Sequence, residues 1–252
     1  MIYIATHKKT DLPKLENYIA LRVGAEGNDD FGYCADNTGD NISFKNPNYC
    51  ELTGLYWIWK NTDDDCKGLV HYRRYFGKSN LSANTKNIYS YDELKAMLQS
   101  ADVVLPYVEY FLQNAKDELL ISCCTEKIFA QLECIVKEKY PDYGNVFDEY
   151  FQQNSSTLFN MMFCKANLFD DYCRWLFDIL FELEKVVDLS ELNRYQQRLY
   201  GFLSERLLNV WIRKNRCKVK NVRVVNPEMP VGEKINLCRR RFTNRIRYQL
   251  FR

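Results

Sequence analysis

The 252-residue chain has no apolar run near the roughly 20 residues that cross a bilayer, so any membrane association is expected to be peripheral. CxxC spacings are absent, and the ten cysteines therefore do not read as a metal site. No secretory signal is read either, because the strand-like MIYIA meets His7-Lys8-Lys9 almost at once. The thiols are thus expected to be reduced, mostly buried and cytosolic. No GxGxxG opens the first helix, which leaves a flavin or nicotinamide enzyme with little support. Acid is missing from Lys234 to Arg252, where one Lys and six Arg give a cationic end to a chain whose formal net charge is only +2. No recognition motif accompanies that patch, so nucleic acid is not an expected partner.

What is present is ordinary globular material: 46% hydrophobic and 27% charged residues exclude a disordered chain. No linker or internal repeat is visible, and the expected division is a domain over 1–225 followed by a basic amphipathic tail over 226–252. In the tail, CRRRFTNRIRYQLFR interleaves Arg with Phe242, Ile246, Tyr248, Leu250 and Phe251. That pattern suits an interfacial helix on an anionic membrane surface, with packing on the protein's own helices as the alternative.

Strand-like and helical segments alternate. Strands are read over 2–6, 67–73, 102–105, 157–164 and 218–225, with a helix signal at Asp11-Leu12-Pro13 and helices over 50–60, 91–99, 124–138, 169–186 and 196–214. A Gly-, Asn- and Asp-rich loop fills 27–49. The expected class is α/β, a mainly parallel sheet covered by helices, with a helical C-terminal part.

Ligands of such sheets gather at the carboxyl ends of strands. KGLVHYRRYF, residues 67–76, places a dense polar cluster there: His71, Tyr72, Arg73 and Arg74 follow an apolar climb. Thr6, His7 and Lys8 leave the first strand in the same way, and Asp36, Asn37, Asp40 and Asn41 stand in the loop DNTGDN. Together they describe a site for an anionic ligand carrying hydroxyl and ring groups, although each alone also fits a structural role.

The runs IYIATHKKTDLP, DNTGDNIS, KNPNYCELTGLYWIWKN, GLVHYRRYF, FNMMFCKANLFDDYCRWLFDILFELE and RLYGFLSERLLNVW resemble a family of bacterial capsule, exopolysaccharide and O-antigen glycosyltransferases, long labelled a domain of unknown function, that contains β-galactofuranosyltransferases. The resemblance covers the chain to about Trp211. It implies a GT-A-like nucleotide-sugar-binding fold, a UDP-sugar donor (UDP-galactofuranose), a lipid-linked glycan acceptor, inverting transfer, and a cytoplasmic enzyme at the inner face of the cell membrane. Enzymes of this fold commonly hold a divalent cation on Asp-x-Asp at the exit of the strand after the nucleotide-binding half. Here HYRR stands at that position, so Arg73 or Arg74, helped by His71 and Lys8, is expected to stabilise the departing diphosphate in place of a metal. Strand alternation would put only one of the two arginines in the site. Mg²⁺ or Mn²⁺ on Asp36 and Asp40 is the alternative. For the general base, Asp36, Asp40, Glu51 and Glu205 are candidates. Asn160, heading NMMFCK, joins Thr6, His7, Lys8, Asp36, Asn37 and Asn41 as a substrate-binding candidate. The competing function is a non-catalytic nucleotide- or sugar-binding partner in a polysaccharide assembly complex, or a transferase using another UDP-hexose.

Overall fold

The computed structural model describes residues 1–81 and 84–250. Its frame is an eight-stranded sheet in the order β3 (Cys34–Ala35), β2 (Tyr18–Arg22), β1 (Ile2–Thr6), β4 (Cys66–His71), β9 (Met162–Lys165), β6 (Val103–Pro106), β10 (Val219–Val225) and β5 (Tyr75–Gly77). The apolar runs of β1 and β4 are buried on both faces: every residue of β1 is buried, as are the first five of β4, whereas β10 has four exposed residues among its seven. β1 pairs in parallel with β2 and β4, β2 with β3, and β10 with β6, whereas β9 runs antiparallel to both β4 and β6, and β5 antiparallel to β10. A separate ribbon joins β7 (Val108–Tyr110) to β8 (Ser155–Thr157).

The larger core lies on one face of the sheet, under α1 (Asn46–Tyr49), α2 (Leu52–Asn61), α4 (Ala115–Ser122), α5 (Glu126–Lys139), α6 (Gly144–Phe151), α7 (Ala166–Val186) and α8 (Leu199–Lys214). A smaller core on the other face is closed by α3 (Tyr91–Met97) and β5. The final helix, α9 (Val231–Leu250), packs beside β7. Phe251 and Arg252, counted with the tail above, lie outside the described residues.

Three expectations change. The helix signal at Asp11-Leu12-Pro13 gives irregular chain that leads into β2, with Leu12 and Leu15 packed on the smaller core. The strand read over 157–164 is two strands, β8 and β9, separated by a turn in which Phe159 and Asn160 have φ of 82° and 51°. The strands 2–6, 67–73, 102–105 and 157–164 do lie in one neighbourhood, but the last runs backwards, which has a consequence for the site. An antiparallel strand brings its beginning, not its end, to the edge where its neighbours finish. Residues 159–161 therefore stand beside the carboxyl end of β4, where Leu69 pairs with Met162. Contact at this crossing is close: a Cβ on Gly68 would meet the Phe163 ring at 2.8 Å.

Candidate functional site

At the carboxyl ends of β1 and β4 opens a cavity of about 500 Å³ walled by Thr6, His7, Glu51 and His71 together with Arg73, Arg74, Arg194 and Arg198. Four arginines face it against one carboxylate, Glu51, so the cavity is built for an anion. Both members of the Arg pair line it. β4 ends at His71 and the next residues form a tight turn, with the Arg74 amide donating to the His71 carbonyl, so strand alternation no longer separates the two side chains. Arg73 is half exposed and stacks on Tyr72 at 4.7 Å, with Glu228 at 3.8 Å. Arg74 stacks on Phe159 at 4.6 Å, and burial lowers its pKa.

Thr6 is buried, and its hydroxyl donates to the Lys8 carbonyl, shaping the turn after β1. His7 packs edge-on against Tyr72 and borders a second, smaller hollow of about 230 Å³ that also touches Arg22, Phe31 and Asn46. Burial, then Arg73 and Lys8, lower the His7 pKa. Lys8 lies over Tyr72 at 5.0 Å but lines neither hollow.

The reversed strand knits the floor. His71 Nε2 donates to the Phe159 carbonyl at 2.5 Å, which makes Nδ1 the unprotonated nitrogen. Burial lowers the His71 pKa, outweighing the opposite pull of Glu51. The Phe159 amide donates to Glu205 Oε1 at 2.9 Å. Asn160 is buried and donates to Glu51 at 2.7 Å and to the Gly201 carbonyl at 2.9 Å, while accepting from Ser204 at 2.8 Å. Its amide is thus occupied by the protein itself, joining α2, α8 and the 159–160 turn, and it serves as a brace rather than a free ligand group. Burial pushes the Glu205 carboxyl up to about 7; Arg206 opposes the shift and Glu51 adds to it. Arg206 in turn is paired to Glu118 on α4.

DNTGDN does not sit over this site. Asp36 is buried and accepts from the amides of Gly24 and Ala25 at 2.9 and 3.0 Å and from the Ser43 hydroxyl at 2.5 Å, a clamp on the segment after β2. Asp40 accepts from Tyr56 in the middle of α2, and at the C-terminal end of that helix its backbone is tied to Asn61 and its side chain lies 3.8 Å from Lys60. α2 begins beside Glu51 at the cavity and, at a rise of about 1.5 Å per residue, carries Lys60 and Asn61 roughly 15 Å away from it. Asn37 and Asn41 are at the surface or only half buried and border neither hollow. The loop belongs to the flank of α2, and Asp36 and Asp40 cannot share one cation: one has its oxygens committed and the other is at the wrong end. Among the described residues no group of three His, Cys, Asp or Glu is placed to hold a metal.

Several residues went unread in the sequence. Arg194 and Arg198 come from irregular and 3₁₀ chain before α8, where no strand exit points to them, although their i, i+4 spacing in NRYQQR was a usable signal. Arg22 is buried at the end of β2 and stacks on Phe31 at 4.4 Å. On the other side of Arg74 lies a third cavity of about 530 Å³, bounded by the β7–β8 ribbon and α9. Arg74 lines both this cavity and the arginine-lined one and stands between them.

The mixed, mostly parallel sheet with a cationic cleft across its carboxyl ends is of the GT-A-like class on the strength of its likeness to a solved glycosyltransferase. The chain matches the apo structure of WbbM, a bifunctional glycosyltransferase, with a TM-score of 0.81 and 28% sequence identity over 90% of its own length. It spans 45% of that protein. The chain belongs to the DUF4422 family, a domain of unknown function, whose model matches residues 1–216. No curated protein matches it. β10 and α9 lie beyond the matched stretch.

Proposed function

We propose that the protein is a glycosyltransferase of surface-polysaccharide synthesis that transfers galactofuranose, with inversion, from UDP-galactofuranose to a lipid-linked oligosaccharide. The observation that carries the reading is Arg74, which lines both an arginine-lined cavity and a second cavity and feels the charge of Glu205, itself behind the floor and lining neither. The diphosphate would lie against Arg73, Arg74, Arg194 and Arg198, whose fixed charges stabilise the departing UDP as it leaves. His7, Arg22 and Phe31 border the hollow suited to uracil and ribose, where a ring can stack on Phe31. Glu205, with its pKa near neutrality, is the group suited to take the proton of the attacking hydroxyl from the face opposite UDP. The likeness to WbbM supports the reaction class, and the resemblance to galactofuranosyltransferases supports the donor.

The acceptor being lipid-linked, the enzyme would work in the cytoplasm against the inner membrane. No described helix is long and apolar enough to cross a membrane. α9 instead exposes Val231, Ile235, Phe242, Ile246 and Leu250 along one face, flanked by the exposed Arg239, Arg245 and Arg247. That face complements an anionic leaflet.

The test is a donor panel of UDP-galactofuranose, UDP-galactose and UDP-glucose with a synthetic lipid-linked acceptor, reading UDP release and the anomeric configuration of the product. Transfer from UDP-galactofuranose to give a β-linkage is expected. UDP binding with no release across the panel would instead favour a non-catalytic binding partner.

A further inference from the structure

The cavity between the β7–β8 ribbon and α9 contains a feature the transfer reaction does not use. α9 carries Lys234, Leu237, Arg241, Asn244 and Tyr248 at alternating spacings of three and four, which places them on one stripe. This stripe faces the body. Arg241 Nε donates to Glu109 at 2.8 Å, and its guanidinium lies 3.8 Å from the Tyr107 ring. Asn244 donates to the Tyr110 carbonyl, and Tyr248 packs on Tyr110.

Lys234 is different. It is 1% exposed and lines the cavity, and its ammonium has no hydrogen-bond partner among the described residues. A buried, unpaired ammonium is costly, and native proteins rarely retain one without a ligand. The two carboxylates that share the cavity are engaged elsewhere, Glu109 by Arg241 and Glu118 by Arg206. Arg240, exposed at the mouth, and Arg74, at the boundary with the donor cavity, complete a positive lining.

We propose that this cavity is an oxyanion subsite in which Lys234, with Arg240, holds a phosphate or carboxylate group of the acceptor while the acceptor's hydroxyl reaches toward Arg74. The word acceptor rests on the glycosyltransferase reading; the anion site does not. A phosphate would come from the lipid carrier and a carboxylate from an acidic sugar. Both supply the oxygens an ammonium needs.

The experiment uses the full chain saturated with UDP, so that the arginine cavity is filled, and titrates in monobutyl phosphate or glucuronate, followed by calorimetry. Wild type is expected to bind at least one of them, the tighter of the two identifying the source of the anion. Lys234→Met should weaken that binding at least tenfold while UDP affinity is unchanged. Arg240→Gln, at an exposed position that the fold does not need, should weaken it several-fold and covers the case in which the buried substitution disturbs folding. Burial lowers the Lys234 pKa, so binding should also weaken as pH rises and the empty site loses its proton. The other charges facing the cavity are Arg74, Glu109, Glu118, Arg240 and Arg241; burial pushes the Glu109 carboxyl up to about 7 and the Arg241 guanidinium down to about 10, so both also make the cavity less positive as pH rises, and the share due to Lys234 is the part of the pH dependence that Lys234→Met removes. Absence of binding to UDP-loaded wild type, or equal affinity in a folded Lys234→Met, would overturn the subsite. Because no turnover is measured, phosphate binding without sugar transfer would count against the proposed function and leave this inference standing.

Discussion

His71 and Glu205 are joined through the backbone of a single residue: Phe159 accepts from the histidine with its carbonyl and donates to the glutamate with its amide. The exit of β4, the turn before β9 and the first turns of α8 thereby form one rigid floor, and the carboxylate is held by a fixed donor in a largely buried position.

Glu205→Gln keeps the acceptor for the Phe159 amide but cannot take a proton. Turnover should fall by about 10²–10⁴-fold with little change in UDP affinity. In wild type, the rate should rise with pH and level off above about 7, where the carboxylate is ionised. Stability moves the other way. The folded-state pKa is raised above the ordinary 4.5, so Glu205 favours folding most at low pH, and that contribution is lost as pH climbs through about 7. Glu205→Gln should therefore unfold later than wild type at about pH 8 and near the wild-type midpoint at about pH 4, as thermal melts at the two pH values will show.

If the arginines do the electrostatic work, EDTA should leave the rate nearly intact, and Arg74→Ala should lower kcat by about 10²–10³-fold. Arg198→Ala should act mainly on UDP affinity. Loss of activity in EDTA with recovery on adding Mn²⁺ would reject this account.

Asn160→Ala removes three hydrogen bonds from a buried position and puts alanine at φ 51°. It should cost about 2–4 kcal/mol in denaturant unfolding. A substitution that left stability untouched but raised KM would instead make Asn160 a substrate ligand.

Asp40→Asn tests the relocated loop. With Asp40 on the far half of α2, both UDP affinity and turnover should stay within about twofold of wild type, since a solvent-facing ion pair contributes at most about 1 kcal/mol. A hundredfold loss would return the loop to the site.

For the outer face of α9, Phe242→Ser with Leu250→Ser should reduce sedimentation with anionic liposomes, and Arg245→Gln should make what remains less sensitive to salt. Cleaving off the helix is a poorer test, because it would also remove Arg241 from Glu109 and Lys234 from its cavity. Binding that ignores these substitutions would rule out this face as the membrane contact.

The sequence by itself determined the parts of the molecule that depend on local pattern. Apolar runs in β1 and β4 and the 3.6-residue periodicity of α5, α7 and α8 announce buried strands and helices, and the polar burst after Val70 marks a strand exit whose arginines do reach the cleft. Three things were decided only by tertiary structure. The direction of β9 leaves no trace in its own composition, since a strand buried on both faces reads the same whether parallel or antiparallel; yet that direction brings Phe159 and Asn160 to the site. The destination of DNTGDN depends on which end of α2 it meets, and loop composition shows that a turn exists without saying where it docks. The tail's mixture of Arg and apolar residues was visible as a sum of charge and hydrophobicity, but its division into an inward stripe through Lys234 and Arg241 and an outward one through Phe242 and Ile246 required the body to supply Glu109 and Tyr110 as partners for one face only.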